Sequence, residues 1–148
     1  MLAKLDGAWN SDGNELLINW HYFSQEVLEF EKLTFLTGKT GTGKSTIIDA
    51  LQLVLLADTS GNYFNKSANG KSRRTLLGYL RGELGDDEVG GFTYLRNEAF
   101  SSYIVLKFYD EEKAHCFTAG CCFDVYNNSD MPHRFFGYEG TVAALGRY

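Results

Sequence analysis

The spacing of apolar positions changes character several times along the chain. Residues 16–23 concentrate apolar, β-branched and aromatic side chains and predict a strand. Residues 27–30 and 33–36 predict two further short strands, set apart by Glu29, Glu31 and Lys32. Residues 46–57 are apolar around nearly the whole circumference of a helix, the mark of a helix buried on most sides. Ser45, Asp49 and Gln52 recur at steps of four and three, so they share one polar stripe on it. From 58 to 91 no period persists, and Gly82, Gly85, Gly90 and Gly91 punctuate a loop with one short helical stretch at 74–80. Residues 103–109 then alternate, with Ile104, Leu106 and Phe108 on one face. A polar turn at 110–113 leads into a strand over 115–126, an antiparallel hairpin spanning about 100–126. Residues 141–148 carry neither a helix stop nor a closing strand, which reads the chain as a piece of something longer.

Composition narrows the class. A chain of 148 residues suits one domain, and 44% hydrophobic against 22% charged residues excludes a disordered or collagen-like polymer. Fourteen basic and 19 acidic residues give a net charge of −5, which excludes an overall basic nucleic-acid coat and leaves room only for a local patch. No apolar leader opens the chain and no apolar run is long enough to span a bilayer, so the expectation is a cytoplasmic protein with no membrane partner. Cys116, Cys121 and Cys122 lie close together without C-x-x-C spacing. With His115 they make a weak metal-cluster candidate, and they read better as small buried residues on a strand in a reducing compartment.

The segment with chemical content lies between the third strand and the helix. Gly38, Lys39, Thr40, Gly41, Thr42, Gly43, Lys44 and Ser45 satisfy G-x-x-x-x-G-K-[ST] in full, after a hydrophobic strand and before a hydrophobic helix. A run of backbone N–H groups can wrap phosphate oxygens only where side chains do not intrude, hence the glycines. The helix start directs its positive dipole end at the same anions. In this pattern Lys44 reaches the β and γ phosphates and the Ser45 hydroxyl ligates Mg²⁺, with Thr46 assisting through its N–H. The cofactors expected are therefore ATP and Mg²⁺. Hydrolysis needs a second, acidic site at the end of an apolar strand. The one candidate is Asp110-Glu111, but Lys107 interrupts the apolar run before it, and the alternation suits a hairpin better than a central parallel strand. Asp110 and Glu111 therefore read first as the hairpin turn and only weakly as catalytic residues.

Asn19-Trp-His-Tyr-Phe23, then a hairpin and a strand, then GKTGTGKSTIIDA at 38–50, resembles the N-terminal start of ABC-type ATPase heads in the SMC and MukB superfamily. Thr40 departs from that pattern, where many relatives carry Asn. Residues 63–82 look most like the MukB-like SMC subunit (JetC type) of bacterial Wadjet plasmid-defence systems. The resemblance covers roughly residues 14–110, is specific at the phosphate loop and its helix, and is looser after Gly82. It implies an α/β fold, the N-terminal lobe of an ABC-type head over 1–148, with a mixed or antiparallel sheet around a buried loop helix. It also implies that the coiled coil, the C-terminal lobe, the signature motif and the Walker B acids lie elsewhere. Neither Gln25 nor Gln52 fits the family's Q-loop glutamine. The partners implied are a second SMC-like head, so a homodimer in the intact protein, together with a kleisin, accessory subunits and DNA.

The resemblance also assigns candidate roles. His21 matches a basic residue near the nucleotide in relatives, and reads equally as a strand histidine satisfied by a neighbour. Lys66, Lys71, Arg73, Arg74 and Arg81 form a basic run without an acid between them. It suits a DNA-facing surface (Lys71, Arg73, Arg74), an arginine near the nucleotide, or a solvated loop and helix face. Asp49 and Gln52 are expected as structural partners of the loop, and Trp20, Tyr22 and Phe23 as core or hairpin packing. Two other readings stay open: a self-contained P-loop kinase or NTPase using Asp110-Glu111, and a truncated module that binds nucleotide without hydrolysing it.

Overall fold

The computed structural model describes residues 9–31, 33–65, 74–86, 92–110 and 115–139. Strands β1 (Trp9–Trp20) and β2 (Phe23–Phe30) form a hairpin, and helix α1 (Lys44–Leu56) follows the glycine-rich loop. Helix α2 (Leu76–Arg81) leads into the small ribbon β3 (Glu83–Asp86) and β4 (Phe92–Tyr94). Strands β5 (Phe100–Asp110), β6 (His115–Val125) and β7 (His133–Glu139) complete the order.

Five strands form one sheet in the order β2-β1-β5-β6-β7, and every pairing among the described residues is antiparallel. The period-two alternation of β5 now has its reason. Ile104 pairs with Leu17 on one side and Cys121 on the other, and Leu106 pairs with Glu15 and Ala119, so these side chains share one face. Helix α1 lies against β5 and β6, and α2 against β1. Leu17, Ile104, Cys121 and Phe123 are wholly buried with Ala50, Leu53 and Leu80 in a single core. Most of the apolar circumference of α1 is buried as expected, at Ile47, Ala50, Leu51, Leu53 and Val54, while Leu55 and Leu56 at its end are exposed. Ala57 ends the helix in a left-handed conformation, its N–H returning to the Val54 carbonyl at 3.3 Å.

Several elements differ from the sequence reading. Residues 16–23 are not one strand: 16–20 end β1, the chain reverses at His21-Tyr22, where Trp20 faces Phe23 across the turn, and 27–30 is the far end of β2. His21 and Asn19 have φ values of 50° and 52°, a left-handed conformation that Asn and His adopt more readily than other non-glycine residues and that breaks the strand here. Residues 33–36 join no ladder, and Leu33 and Phe35 are 62% and 72% exposed. A strand is defined by its hydrogen-bonded neighbour, and among the described residues none pairs with this segment. The short helix expected at 74–80 forms as α2, its start capped by the Thr75 hydroxyl accepting from Gly78 N–H at 3.0 Å, but the rest of the stretch read as loop contains β3, which pairs with β4 just beyond it. Strand β7 was not foreseen, and the reading of residues 141–148 lies outside the described residues.

Candidate functional site

The glycine-rich loop departs from ordinary backbone at each of its glycines. Gly38, Gly41 and Gly43 have φ values of 145°, 87° and 89°. At Gly43 the need for glycine is twofold, because a Cβ there would also lie 3.1 Å from the Phe23 ring. Gly43 is the N-cap of α1 with no side chain capping the first turn, so the helix presents its N-terminal N–H groups toward the loop. Lys44 folds back across the loop, its Nζ donating to the carbonyls of Gly38 at 2.8 Å and Lys39 at 2.7 Å and to Thr42 Oγ1 at 3.3 Å. The Thr42 hydroxyl donates to the Lys39 carbonyl at 2.9 Å. Lysine and threonine thus pre-shape the loop into a ring with a cation at its centre.

A cavity of about 460 Å³ opens on this ring, within the size range of small-molecule sites. The loop and helix contribute Thr40, Gly41, Gly43, Lys44, Ser45 and Thr46, and the β1–β2 turn contributes His21 and Tyr22. Arg74, Thr75, Gly78, Tyr79 and Glu83 form the opposite wall. The structure therefore brings together the phosphate loop, His21 and Arg74, which are far apart in sequence. Tyr79 and Glu83 were not singled out by the sequence. Nothing local marks them, because they reach the cavity only through the placement of α2.

Asp49 organises that wall from behind. It is wholly buried, and each carboxyl oxygen takes two donors. Oδ1 accepts from Asn65 N at 2.8 Å and Asn65 Nδ2 at 2.6 Å, while Oδ2 accepts from Arg74 Nη1 at 3.3 Å and from the Tyr79 hydroxyl. Arg74 Nη1 also donates to the Tyr79 oxygen at 3.1 Å. Burial first, then the Asp49 carboxylate, pushes the Tyr79 phenol well above its usual range, so the hydroxyl stays protonated and remains a donor. Asp49 is structural, as expected, but its partners are the 65–79 region and not the glycine-rich loop. Gln52 is half-buried, with its Oε1 lacking a partner among the described residues.

His21 lines the cavity beside the loop, near where the resemblance implied a nucleotide contact. Burial, then the Arg74 and Arg96 charges, lower its imidazole to about 4. Its Nδ1 is buried without a partner among the described residues, and its ring meets Tyr22 edge-on at 4.0 Å. Trp20 is core, as expected, stacked on Tyr79 at 4.7 Å. Tyr22 is 51% exposed at the cavity, unlike the packing role foreseen for it.

The basic run divides. Lys66, Lys71 and Arg73 lie outside the described residues. Arg74 turns inward to Asp49 with a side chain 27% exposed, which places it at the cavity wall and not on an open DNA-facing surface. Arg81 is 3% exposed and donates to the carbonyls of Arg96 at 2.8 Å and Glu98 at 3.1 Å, so it is not part of a solvated helix face. Glu111 also lies outside the described residues. Asp110 is buried at the end of β5 opposite Ser101, whose carbonyl accepts from Asn19 beside the turn. At strand rise that separation is on the order of 30 Å, too far for Asp110 to act on a ligand at the loop. Cys116, Cys121 and Cys122 all sit on β6, and burial pushes the Cys121 thiol up to about 12. Among the described residues no group of three or more His, Cys, Asp or Glu side chains could hold a metal, and no helix is long and apolar enough to cross a membrane.

Residues 15–71 match the family model described as the P-loop containing region of an AAA domain. The matched stretch contains most of the β1–β2 hairpin, the glycine-rich loop and α1, so the chain carries a P-loop NTPase segment of the nucleotide-binding kind. No curated protein matches the chain.

Proposed function

We propose that the chain binds a nucleoside triphosphate with Mg²⁺ at the N-terminus of α1, as the N-terminal head segment of an SMC-like ATPase that clamps or moves along DNA. The observation that carries the reading is the loop itself. Three glycines in positive φ and an uncapped helix start leave backbone N–H groups beside a cavity that Lys44 lines.

The residues present fit the ligand. Lys44 Nζ has carbonyl and hydroxyl partners that phosphate oxygens can replace with stronger, charge-assisted bonds. Ser45 lines the cavity next to it and would hold Mg²⁺, which would supply charge neutralisation of the bound phosphates. Thr46 offers its N–H from the first turn. Arg74 supplies a second cation across the cavity, held in place by Asp49. His21 lines the cavity beside the loop and offers an imidazole edge to a ligand there.

The SMC-like assignment rests on the order of parts: Asn19-Trp-His-Tyr-Phe23 at a hairpin turn, the phosphate loop, then Ser45-Thr-Ile-Ile-Asp-Ala50 on the helix. The resemblance of residues 63–82 to the Wadjet-type subunit favours plasmid defence, with chromosome maintenance as the other setting. On this reading ATP joins two heads and hydrolysis parts them. The second head, kleisin, accessory subunits and DNA are the proposed partners, and the catalytic acid comes from a lobe beyond this chain.

Equilibrium binding of Mg-ATP and steady-state turnover test the reading together. The chain is expected to bind Mg-ATP, to lose about 100-fold or more in affinity on Lys44→Ala, and to show no turnover with or without DNA. Turnover that Lys44→Ala abolishes would place the catalytic acid within these residues and overturn the head-segment assignment.

A further inference from the structure

We propose that Arg96, which does not line the cavity, is a positioning residue for the phosphate loop, acting through the β1–β2 turn. This inference rests on the nucleotide-binding reading above.

Arg96 reaches two separate parts of the chain, the β1–β2 turn and α2. Its Nη1 donates to the His21 carbonyl at 2.8 Å and the Leu80 carbonyl at 3.2 Å, its Nη2 to the Phe23 carbonyl at 3.1 Å, and its Nε to Asn19 Oδ1 at 3.3 Å. All four acceptors are neutral, and burial lowers the guanidinium from its ordinary value. A side chain that gave up hydration only to meet a carboxylate would not show this pattern; here the rigid fork is used as a template for backbone shape.

The shape it holds is an unusual one. Asn19 and His21 both occupy the left-handed region, which is uncommon for non-glycine residues although Asn and His reach it more readily than most. Arg96 grips the turn on both sides of that distortion. The His21 N–H is fixed as well, donating to the Tyr79 carbonyl at 2.7 Å. Arg96 is itself anchored, its own N–H donating to the Arg81 carbonyl at 2.9 Å.

The turn in turn supports the loop. The Phe23 ring lies 3.1 Å from where a Cβ on Gly43 would stand, and Gly43 is both the last glycine of the loop and the N-cap of α1. The Phe23 carbonyl is one of the four acceptors. Moving the turn therefore moves the surface on which the N–H groups of the loop are seated. Fifty residues of sequence separate Arg96 from the loop, and the fold connects them through one aromatic ring.

The experiment is a double-mutant cycle on Mg-ATP affinity in the full chain, using Arg96→Lys, Phe23→Leu and their combination, with urea midpoints measured in parallel. Lysine keeps the charge and loses the fork. Arg96→Lys is expected to weaken Mg-ATP binding about tenfold while the chain remains folded. Phe23→Leu is expected to weaken it by a similar factor, and the double variant to be no worse than either alone, because both act on one contact. If Arg96→Lys does not fold, Asn19→Ala, which removes the Nε acceptor, takes its place in the cycle with an expected loss of two- to threefold. Unchanged affinity in the folded Arg96 variant, or losses that multiply in the double variant, would overturn the inference. Failure of the unaltered chain to bind Mg-ATP, or binding insensitive to Lys44→Ala, overturns the nucleotide-binding reading and this inference with it. Binding that depends on Lys44 but not on Arg96 overturns the inference alone.

Discussion

The indole N–H of Trp20, the last residue of β1, donates to the Thr46 carbonyl in the first turn of α1 at 3.0 Å. The two residues are 26 positions apart, both are buried, and the bond joins the sheet to the helix that begins at the phosphate loop. Tyr79 stacks on the other side of the indole at 4.7 Å and brings α2 into the same joint.

Trp20→Phe keeps most of the buried apolar area but leaves the Thr46 carbonyl without this donor. The expected cost is about 1–3 kcal/mol in urea unfolding. Nucleotide affinity should fall as well, since the carbonyl belongs to the turn that presents its N–H groups to the ligand. A stability loss with unchanged affinity would show that the joint supports the core and not the site.

Tyr79→Phe removes one of the two donors on Asp49 Oδ2 and the oxygen to which Arg74 donates. The aromatic stack survives, so the expected loss of stability is modest, about 1–2 kcal/mol. Arg74 should then hold its place less well, and Mg-ATP affinity should fall more than ADP affinity if Arg74 faces the γ phosphate. Equal losses for both nucleotides would place Arg74 nearer the inner phosphates.

Glu15 is wholly buried between Leu28 and Leu106 in the sheet register, and both carboxyl oxygens lack partners among the described residues. Burial raises its pKa well above the ordinary value. Above the unfolded pKa near 4.5 the unfolded chain ionises and the folded chain does not, so this group destabilises the fold progressively as pH rises past that point. Glu15→Leu should therefore add about 1–3 kcal/mol at pH 7, with the gain shrinking as pH falls toward 4. Thermal unfolding across that range measures it, and a gain independent of pH would refute the assigned cause.

His21 has the opposite dependence. Its folded pKa of about 4 lies below the ordinary 6.5, so between these values the unfolded chain binds a proton that the folded chain refuses. Stability is lost on acidification from about 6.5 toward 4. His21→Gln should flatten that part of the profile and leave stability above pH 7 nearly unchanged. An identical slope in the variant would exclude His21 as its source.

Local features of the site were legible in the residues. Gly38, Gly43, Lys44 and Ser45 form a contiguous pattern whose physics is confined to one loop and one helix start. The alternation of Ile104, Leu106 and Phe108 announced the β5–β6 hairpin for a similar reason, since a period of two has one half-buried solution. Arg74 could be singled out as a candidate, but not oriented. The choice between an open surface and the cavity wall depended on Asp49, 25 positions away, which the sequence placed on the helix without its partners.

The sequence by itself determined the phosphate loop, the buried helix that follows it and the central hairpin, because each is specified by neighbours within a few residues. Tertiary structure alone decided that the chain reverses at His21-Tyr22, that residues 33–36 join no ladder, and that Asp110 lies far from the loop. It also placed Tyr79 at the cavity wall and Arg96 on the β1–β2 turn, to which nothing in their surrounding sequence connects them. Those outcomes depend on hydrogen bonds and ring contacts across 16 to 77 positions, from Arg96 to Leu80 at one extreme and to Asn19 at the other. Such contacts exist only once the chain has closed on itself, and no local period records them.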